Sequence, residues 1–593
     1  MTELQKKRPA PYSPGSRAAE ALLAPRWHSR RSSILLAIIS LAFAGLAARA
    51  GWVQIVEHEF HVAQGEKRHR QMLALDAPRG RIVDRHGALL AVSLTTYEIW
   101  AEPQRFDAAS AEPLAQALAL SPTQLRERLA TERANVLLKR HVDAQTAARI
   151  AALALPGVTQ AASFKRFYPE GESAAHVVGL TDVDDAGQEG IELAADDLLS
   201  GAPGKREVIR DRLGRIVSDL RPLVPARPGQ TVRLTVDRRI QQLAFAQLQA
   251  ALDRHGAQAG SVVVLDAGTG EILALANAPS FDPNARAGLT ARTMRNRAVI
   301  DTFEPGSTIK PLAIATALDA GHVRPDTLID TAPGRYRIGA HTIHDTSDHG
   351  TVSVAQALAT SSNIALAKIA LTLPPETLWT AYRQYGLGLA PPLPFPGVAA
   401  GKLRPWQRWR PVEQATMGYG YGLSTSLLQM AQAYTALAGD GTLRPATLVA
   451  RNEYDLSDGP DTDRQDADDT AANARVRVTH ERTAATLRTM LEAATLTGGT
   501  GSAARVEGYR VGGKTGTAWK HAGSGYAKGK YRSLFVGIAP IDAPRLIVAV
   551  MIDEPTGASY YGGTVAGPVF SAVAGGSLQL LGVPPTTQAA PDA

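Results

Sequence analysis

Hydrophobic and polar positions change period several times along the chain. From Ser32 to Ala48 the residues are uncharged and mostly apolar, and past Arg49 the run continues to Trp52 and Val53. That is close to the ~20 residues that cross a bilayer as a helix, so 32–53 is expected to be a transmembrane anchor behind a tail at 1–31. Residues 54–225 mix short strand-like runs with helical stretches such as Ala109–Leu118 and Glu127–Arg133, which predicts an extended α+β pedestal that serves as a spacer. A Pro-rich passage from Arg221 to Gly229 reads as a linker into Thr231–Asp237, where a larger domain over 226–580 begins. Inside it, Val262–Asn277 reads as a hairpin turning at Ala267-Gly-Thr-Gly270. The segments Tyr509–Trp519, Ser533–Ala539 and Leu546–Ile552 read as three antiparallel strands, and Lys310–Leu318, Val352–Ala359 and Ile364–Leu373 as helices. Glu453 to Asp469 is Asp-rich with few apolar residues and predicts a solvated acidic insertion at 453–475. Residues 581–593, rich in Pro, Ala and Thr, predict an unstructured tail.

Charge orients the anchor. Lys6, Lys7, Arg8, Arg17, Arg26, Arg30 and Arg31 precede the apolar run against only Glu3 and Glu20, which places that end in the cytoplasm and all that follows outside. Ala48-Arg-Ala50 matches a cleavage site and Ser29-Arg-Arg31 a twin-arginine signal. The long basic leader, the length of the run and the ability of Arg49 to reach the headgroups favour an uncleaved anchor. The net charge of +7 over 593 residues is modest and its basic residues are scattered, so no nucleic-acid partner is expected. Absence of cysteine excludes thiol catalysis and disulfides. The 14 histidines show no metal-site spacing, the acidic stretch has no EF-hand pattern, and no Gly-rich phosphate loop follows a strand; no metal and no cofactor are expected.

Three short motifs carry the chemistry: Ser307-Thr-Ile-Lys310, Ser361-Ser-Asn363 and Lys514-Thr-Gly-Thr517. A helix starting at or just before Ser307 puts residues three apart on one face, so the Ser307 hydroxyl and Lys310 amine are expected to meet. A serine is a weak nucleophile that needs a base, and a lysine serves once burial or a second cation, here Lys514, lowers its pKa. Ser361-Ser362-Asn363 reads as a loop between helices, with one hydroxyl, Ser361, to relay a proton and the Asn363 amide to hold substrate backbone. Thr515, Thr517 and Lys514 suit a carboxylate, and Gly516 is expected to let a ligand lie against the strand edge. The amides of Ser307 and Thr517 are expected to form an oxyanion hole.

This triplet resembles that of penicillin-binding proteins and class A β-lactamases. Its flanks, Arg295 to Pro311, Gly418-Tyr-Gly-Tyr-Gly-Leu423, Gln429 to Tyr434 and Tyr560 to Phe570, resemble class B penicillin-binding proteins, most of all the division-specific septal transpeptidases of the FtsI type. Upstream, Arg79-Gly-Arg-Ile-Val-Asp84, Arg166 to Gly171, His176, Gly179 and Gly190-Ile-Glu192 look like class B pedestal motifs, read here as turns and salt bridges without chemistry. The resemblance implies a multidomain α+β chain whose transpeptidase domain has an antiparallel sheet flanked by helices. It implies a D,D-transpeptidase that cross-links D-Ala-D-Ala stem peptides through a Ser307 acyl-enzyme, with Lys310 as general base, Ser361 and Lys514 passing a proton to the leaving D-alanine, and Asn363, Thr515, Gly516 and Thr517 binding substrate. It further implies β-lactams as ligands, a SEDS-class septal glycan polymerase and small bitopic division proteins as partners, and a place in the bacterial inner membrane at the division site.

Other readings share features. A class A β-lactamase needs a deacylating glutamate, and neither Glu376 nor Glu413 opens an E-x-x-L-N pattern. A D,D-carboxypeptidase differs only in admitting water to the second step. No glycosyltransferase motif occupies the first 225 residues. An elongation-specific transpeptidase fits the motifs with less agreement in the flanks, and a mainly structural scaffold of the division complex fits the anchor and pedestal.

Overall fold

The computed structural model describes residues 29–57, 70–210, 216–285, 287–450, 476–522 and 525–586, which form two compact units. Most of the basic tail, the acidic insertion and the last seven residues lie outside the described residues. The first unit takes its described residues up to 73 together with 205–223; the second takes 74–204 and 224 onward.

In the first unit, helix α1 (Ser29–Gly51) passes into a π-helical turn at Trp52–Val56. The apolar span Ser33–Val56 has 24 residues, about 36 Å of helix at ~1.5 Å per residue, and none of it is buried. The π turn carries the span three residues past the expected end at Val53, and Glu57 closes it by pairing with Arg49 (3.3 Å) and accepting from Trp52 Nε1 (3.1 Å). The unit also holds a three-stranded sheet of β1 (Arg70–Leu75) with the strands Gly204–Arg210 and Ile216–Val224. The passage read as a linker therefore begins inside a strand.

The second unit opens with the pedestal. Strand β2 (Leu89–Ala101) pairs antiparallel with β3 (Val136–Val142) and β4 (Val158–Phe167), and short helices bury Leu114, Leu118, Leu125 and Ile150 against them. One helix spans Pro122–Leu129, not Glu127–Arg133: Ser121 accepts from the Gln124 amide, Gln124 answers the Ser121 amide, and Pro122 fits the first turn. Cap and proline outweigh the charged run after Glu127. At the pedestal's centre, Glu192 is fully buried between two arginines, receiving Arg79 Nε and Arg166 Nε at 2.6 Å each. Arg79 also reaches Asp196 (2.8 Å) and the Asp185 carbonyl (3.0 Å), and Arg166 reaches the Gly80 carbonyl (2.7 Å). Three of the pedestal motifs, those of Arg79, Arg166 and Glu192, thus converge on one ionic centre.

Within this unit the pedestal is continuous with the catalytic part. Ile82–Val83 pairs in parallel with Val232–Arg233, and buried His176 bonds through Nε2 to the Thr293 carbonyl (2.7 Å) while its ring meets Phe281 edge-on. Asp237 then caps α2 (Arg238–His255). The central sheet follows, built from β5 (Ala259–Asp266), β6 (Ile272–Ala278), β7 (Gly512–Ala522), β8 (Gly525–Ala539) and β9 (Leu546–Asp553), in the order β6-β5-β9-β8-β7 and antiparallel throughout. Both faces are covered, one by α2 and the helix Gly567–Leu580, the other by helices that include Lys310–Asp319, Asn363–Thr372 and Leu427–Ala438. Double burial explains why β9, Leu-Ile-Val-Ala-Val-Met-Ile-Asp, is a continuous apolar run and not an alternating one. Strand β7 is left as an edge, with Lys514 aligned to Val536, then Ala549, then Val263 across the sheet.

Candidate active site

Ser307 sits on a 3₁₀ turn, Gly306–Ile309, that leads into the α-helix at Lys310. The expected α-helical start is therefore delayed, and with three residues per turn Ser307 and Lys310 stack one above the other. Gly306 makes the turn possible: its φ is +52°, and its amide donates to the Gly420 carbonyl (3.1 Å). Gly420 is itself at φ +92°, and a Cβ there would lie 2.0 Å from the Gly306 oxygen. Tyr434, fully buried on the neighbouring helix, donates its hydroxyl to the Thr308 carbonyl (2.7 Å) and fixes the far side of the turn.

The second motif reaches the first through Ser361, held at a left-handed φ of +62°. Ser361 Oγ lies 3.0 Å from Ser307 Oγ, and Lys310 Nζ lies 3.1 Å from Ser361 Oγ, 2.5 Å from its carbonyl and 2.8 Å from Asn363 Oδ1. Among the described residues, Lys310 reaches Ser307 by way of Ser361, not by the direct bond that the spacing suggested. The amine's three positions are occupied by Ser361 and Asn363, and an ammonium has only three donors. Ser362 caps the helix from Asn363 to Thr372, so Asn363 is the first residue of that helix and not part of a loop.

Lys310 and Lys514 are both fully buried. Burial, and then the charge of Lys514, hold the Lys310 amine well below the usual lysine range, against a smaller opposing pull from Asp345. Burial alone lowers Lys514 to about 7. Lys514 Nζ contacts Thr515 Oγ1 at 3.2 Å, Thr515 Oγ1 meets Thr500 Oγ1 at 3.1 Å, and Thr517 Oγ1 accepts from the Gly562 amide at 3.1 Å. These hydroxyls and the ammonium line the edge strand together. The role expected for Gly516 changes: a Cβ there would lie 2.8 Å from Thr308 Cγ2 and 3.1 Å from Leu534 Cβ. The missing side chain makes room for the turn that carries Ser307 and for the sheet interior.

Two carboxylates and a row of rings escaped the sequence reading. Asp345 accepts from Ser362 Oγ (2.6 Å) and from the amides of Asn363 and Ile364 (3.1 Å to the latter), a negative charge at a helix N-terminus that holds the second motif in place. It comes from a hairpin 18 positions upstream of Asn363, so no local spacing points to it. Glu304 accepts from the Gly422 amide and the Tyr526 hydroxyl, both at 2.8 Å. Beyond Thr517, Trp519 contacts Tyr531 (ring centroids 4.5 Å apart), Tyr531 stacks on Tyr560 (4.0 Å), and Tyr560 on Tyr561 (4.7 Å). Among the described residues, no group of three or more His, Cys, Asp or Glu could hold a metal ion.

Residues 260–575 match the model of the penicillin binding protein transpeptidase domain, and residues 74–234 that of the penicillin-binding protein dimerisation domain. The chain is 42% identical over 575 residues to the probable peptidoglycan D,D-transpeptidase PenA of Neisseria meningitidis, covering 96% of this chain and 95% of the relative. It is 36% identical to the peptidoglycan D,D-transpeptidase FtsI of Escherichia coli, covering 94% and 93%. Among solved structures, the transpeptidase domain of Burkholderia pseudomallei penicillin-binding protein 3 superposes with a TM-score of 0.53 at 45% identity, covering 60% of this chain and 98% of that one. The chain belongs to the class B penicillin-binding proteins. In this class B penicillin-binding protein the dimerisation match ends at Leu234, just after the parallel pairing of Val232–Arg233 and three residues before the Asp237 cap. The transpeptidase match begins one residue into β5.

Proposed function

We propose that this peptidoglycan D,D-transpeptidase works at the division septum through an acyl-enzyme on Ser307. The observation that carries the mechanism is the continuous chain Ser307 Oγ–Ser361 Oγ–Lys310 Nζ ending on a buried amine. With Lys310 neutral, the two hydroxyl protons turn the other way: Ser307 donates to Ser361, and Ser361 to Lys310. Ser307 Oγ then attacks the carbonyl carbon of the penultimate D-alanine while its proton passes to Lys310, and the oxyanion rests on the amides of Ser307 and Thr517. The C–N bond breaks, and D-alanine leaves with a proton returned through Ser361, aided by Lys514. Thr515, Thr517 and Lys514 hold the terminal carboxylate, and Asn363 the substrate backbone. An amine of a second stem peptide attacks the ester, forms the new amide and restores the Ser307 hydroxyl. β-Lactams enter the same cycle and stop at the acyl-enzyme.

The septal assignment rests on the likeness to FtsI across nearly the whole length of both chains. In this reading the tail before α1 is cytoplasmic, the folded units are periplasmic, and the partners are a SEDS-class glycan polymerase and small bitopic division proteins. In cells depleted of the protein, the wild-type chain is expected to localise to midcell and restore septation, and Ser307→Ala to localise without restoring it. Rescue by Ser307→Ala, or localisation along the lateral wall, would overturn the assignment.

A further inference from the structure

Beyond the catalytic strand the central sheet carries a second charged feature. A cavity of about 470 Å³ is lined by Arg292, Arg297, Lys520, Lys530, Asp553 and Glu554, among others. Its position follows from register. Ala518, Arg532, Asp553 and Ala259 form one cross-strand row, four residues along from the row that contains Lys514. Positions an even number apart share a face, so the cavity lies on the same sheet face as Lys514, about 13 Å further along at ~3.3 Å per residue. Ten residues upstream of the nucleophile, Arg297 forms its other wall.

The charges in and around the cavity do not balance. Lys520 contacts Asp553 (2.6 Å) and Glu554 (2.7 Å), Lys530 contacts Glu554 (2.8 Å), and Arg532 contacts Asp553 (3.2 Å). Asp301 answers both Arg295 and Arg297. Three carboxylates thus serve five cations. The sixth, Arg292, has no carboxylate partner among the described residues: its guanidinium donates to the carbonyl and side-chain oxygen of Gln258 (3.2 Å each), and its own carbonyl accepts from Arg297 Nη2 (3.2 Å). Arg297 is only 13% exposed; its Nη1 donates to Asp301 (3.1 Å), whereas its buried Nε has no hydrogen-bond partner among the described residues. A purely structural ion network would close on itself. Here four cations, Arg292, Arg297, Lys520 and Lys530, line a space large enough for a ligand against only two carboxylates, Asp553 and Glu554, and this excess of positive charge favours an anion.

We propose that this cavity is an accessory oxyanion site, separate from the Lys514–Thr517 strand, that holds a carboxylate of a peptidoglycan stem peptide while the reacting end lies at Ser307. The oxyanion chemistry follows from the cavity; only the choice of a stem peptide as its source rests on the transpeptidase reading. Inorganic phosphate would meet the same groups, so the test separates the two.

The full chain in detergent micelles is titrated calorimetrically with a disaccharide tripeptide, which lacks the D-Ala-D-Ala end and cannot acylate Ser307, and separately with inorganic phosphate. The tripeptide is expected to bind in a salt-sensitive manner, at least ten-fold more weakly to Arg292→Gln/Lys530→Gln, with binding retained in Arg292→Lys/Lys530→Arg. Phosphate binding with the same variant pattern, and no tripeptide binding, would keep the oxyanion site and overturn the stem peptide as its source. Unchanged tripeptide binding in the glutamine variant, or no binding of either probe, would overturn the site. Penicillin acylation of Ser307, measured on the same samples, reports folding and tests the transpeptidase reading independently. The single variant Arg292→Gln, at an exposed position, gives the same comparison should the double variant fail to fold.

Discussion

At the scale of single residues, two lysines without exposed surface dominate the site. Lys514 is held at about 7 by burial, against an ordinary 10.5. The folded chain therefore gives up this proton at about pH 7, while the unfolded chain keeps it to about 10.5. Between these values the unfolded state binds more protons, so this residue's contribution to stability is fully present above 10.5 and is lost as pH falls toward 7. Thermal unfolding of the wild-type and Lys514→Met chains from pH 7 to 10 is expected to show the melting temperature of the wild type gaining relative to the variant as pH rises. A parallel pair of curves would contradict the depressed pKa. The identities of Ser307, Lys310, Ser361, Asn363 and Lys514 were legible because each belongs to a short motif with fixed spacing. Their connection was not. That Lys310 meets Ser361 and not Ser307 depends on a left-handed φ at Ser361 and on a 3₁₀ turn at Ser307, neither of which the residue types announce.

At the scale of elements, the turn at Ser307 is held on one side by the Tyr434 hydroxyl and on the other by a glycine–glycine contact that leaves no room for a side chain. Gly420 touches Gly306 closely enough that any Cβ must push the turn that carries Ser307. Gly420→Ala is expected to slow penicillin acylation about 100-fold, the size of effect that a displacement of about 1 Å can produce. The fold itself should survive; an unchanged acylation rate would show that the turn tolerates the shift. The pedestal gives the matching case for stability. Glu192 lies fully buried between Arg79 and Arg166, and Glu192→Ala would leave two guanidinium groups without their carboxylate. The expected loss is about 3–5 kcal/mol in denaturant unfolding, since removing one partner strands the buried charge of the other. A loss under about 1 kcal/mol would mean that water or Asp196 compensates. Strands β5 and β9 and the Ser533–Ala539 half of β8 were readable because burial on both faces leaves uninterrupted apolar runs, whereas the exposed, polar half of β8 from Gly525 was not. The helix at Pro122–Leu129 was misplaced because its start is set by the Ser121–Gln124 cap, a signal carried by polar residues that hydrophobic periodicity ignores.

At the scale of the whole molecule, the sequence divides into anchor, pedestal and catalytic part, whereas the folded chain returns residues 205–223 to the first unit and joins the rest of the pedestal to the catalytic domain. Long-range pairings such as Ile82–Val83 with Val232–Arg233 create that continuity, and they lie about 150 positions apart, beyond the reach of any local pattern. The aromatic contacts from Trp519 to Tyr561 and the charged cavity at Lys520 likewise appear only once strands from distant segments are aligned. What unites the parts is the claim that the chain acts through a covalent ester on Ser307. The direct test is the intact mass and peptide map of the purified protein after brief penicillin exposure and washout, with Ser307→Ala and Lys310→Ala alongside. The expected result is a long-lived single adduct confined to the Ser307 peptide, absent from Ser307→Ala and nearly absent from Lys310→Ala. An adduct on another residue, rapid loss of the adduct by hydrolysis, or normal acylation of Lys310→Ala would contradict it.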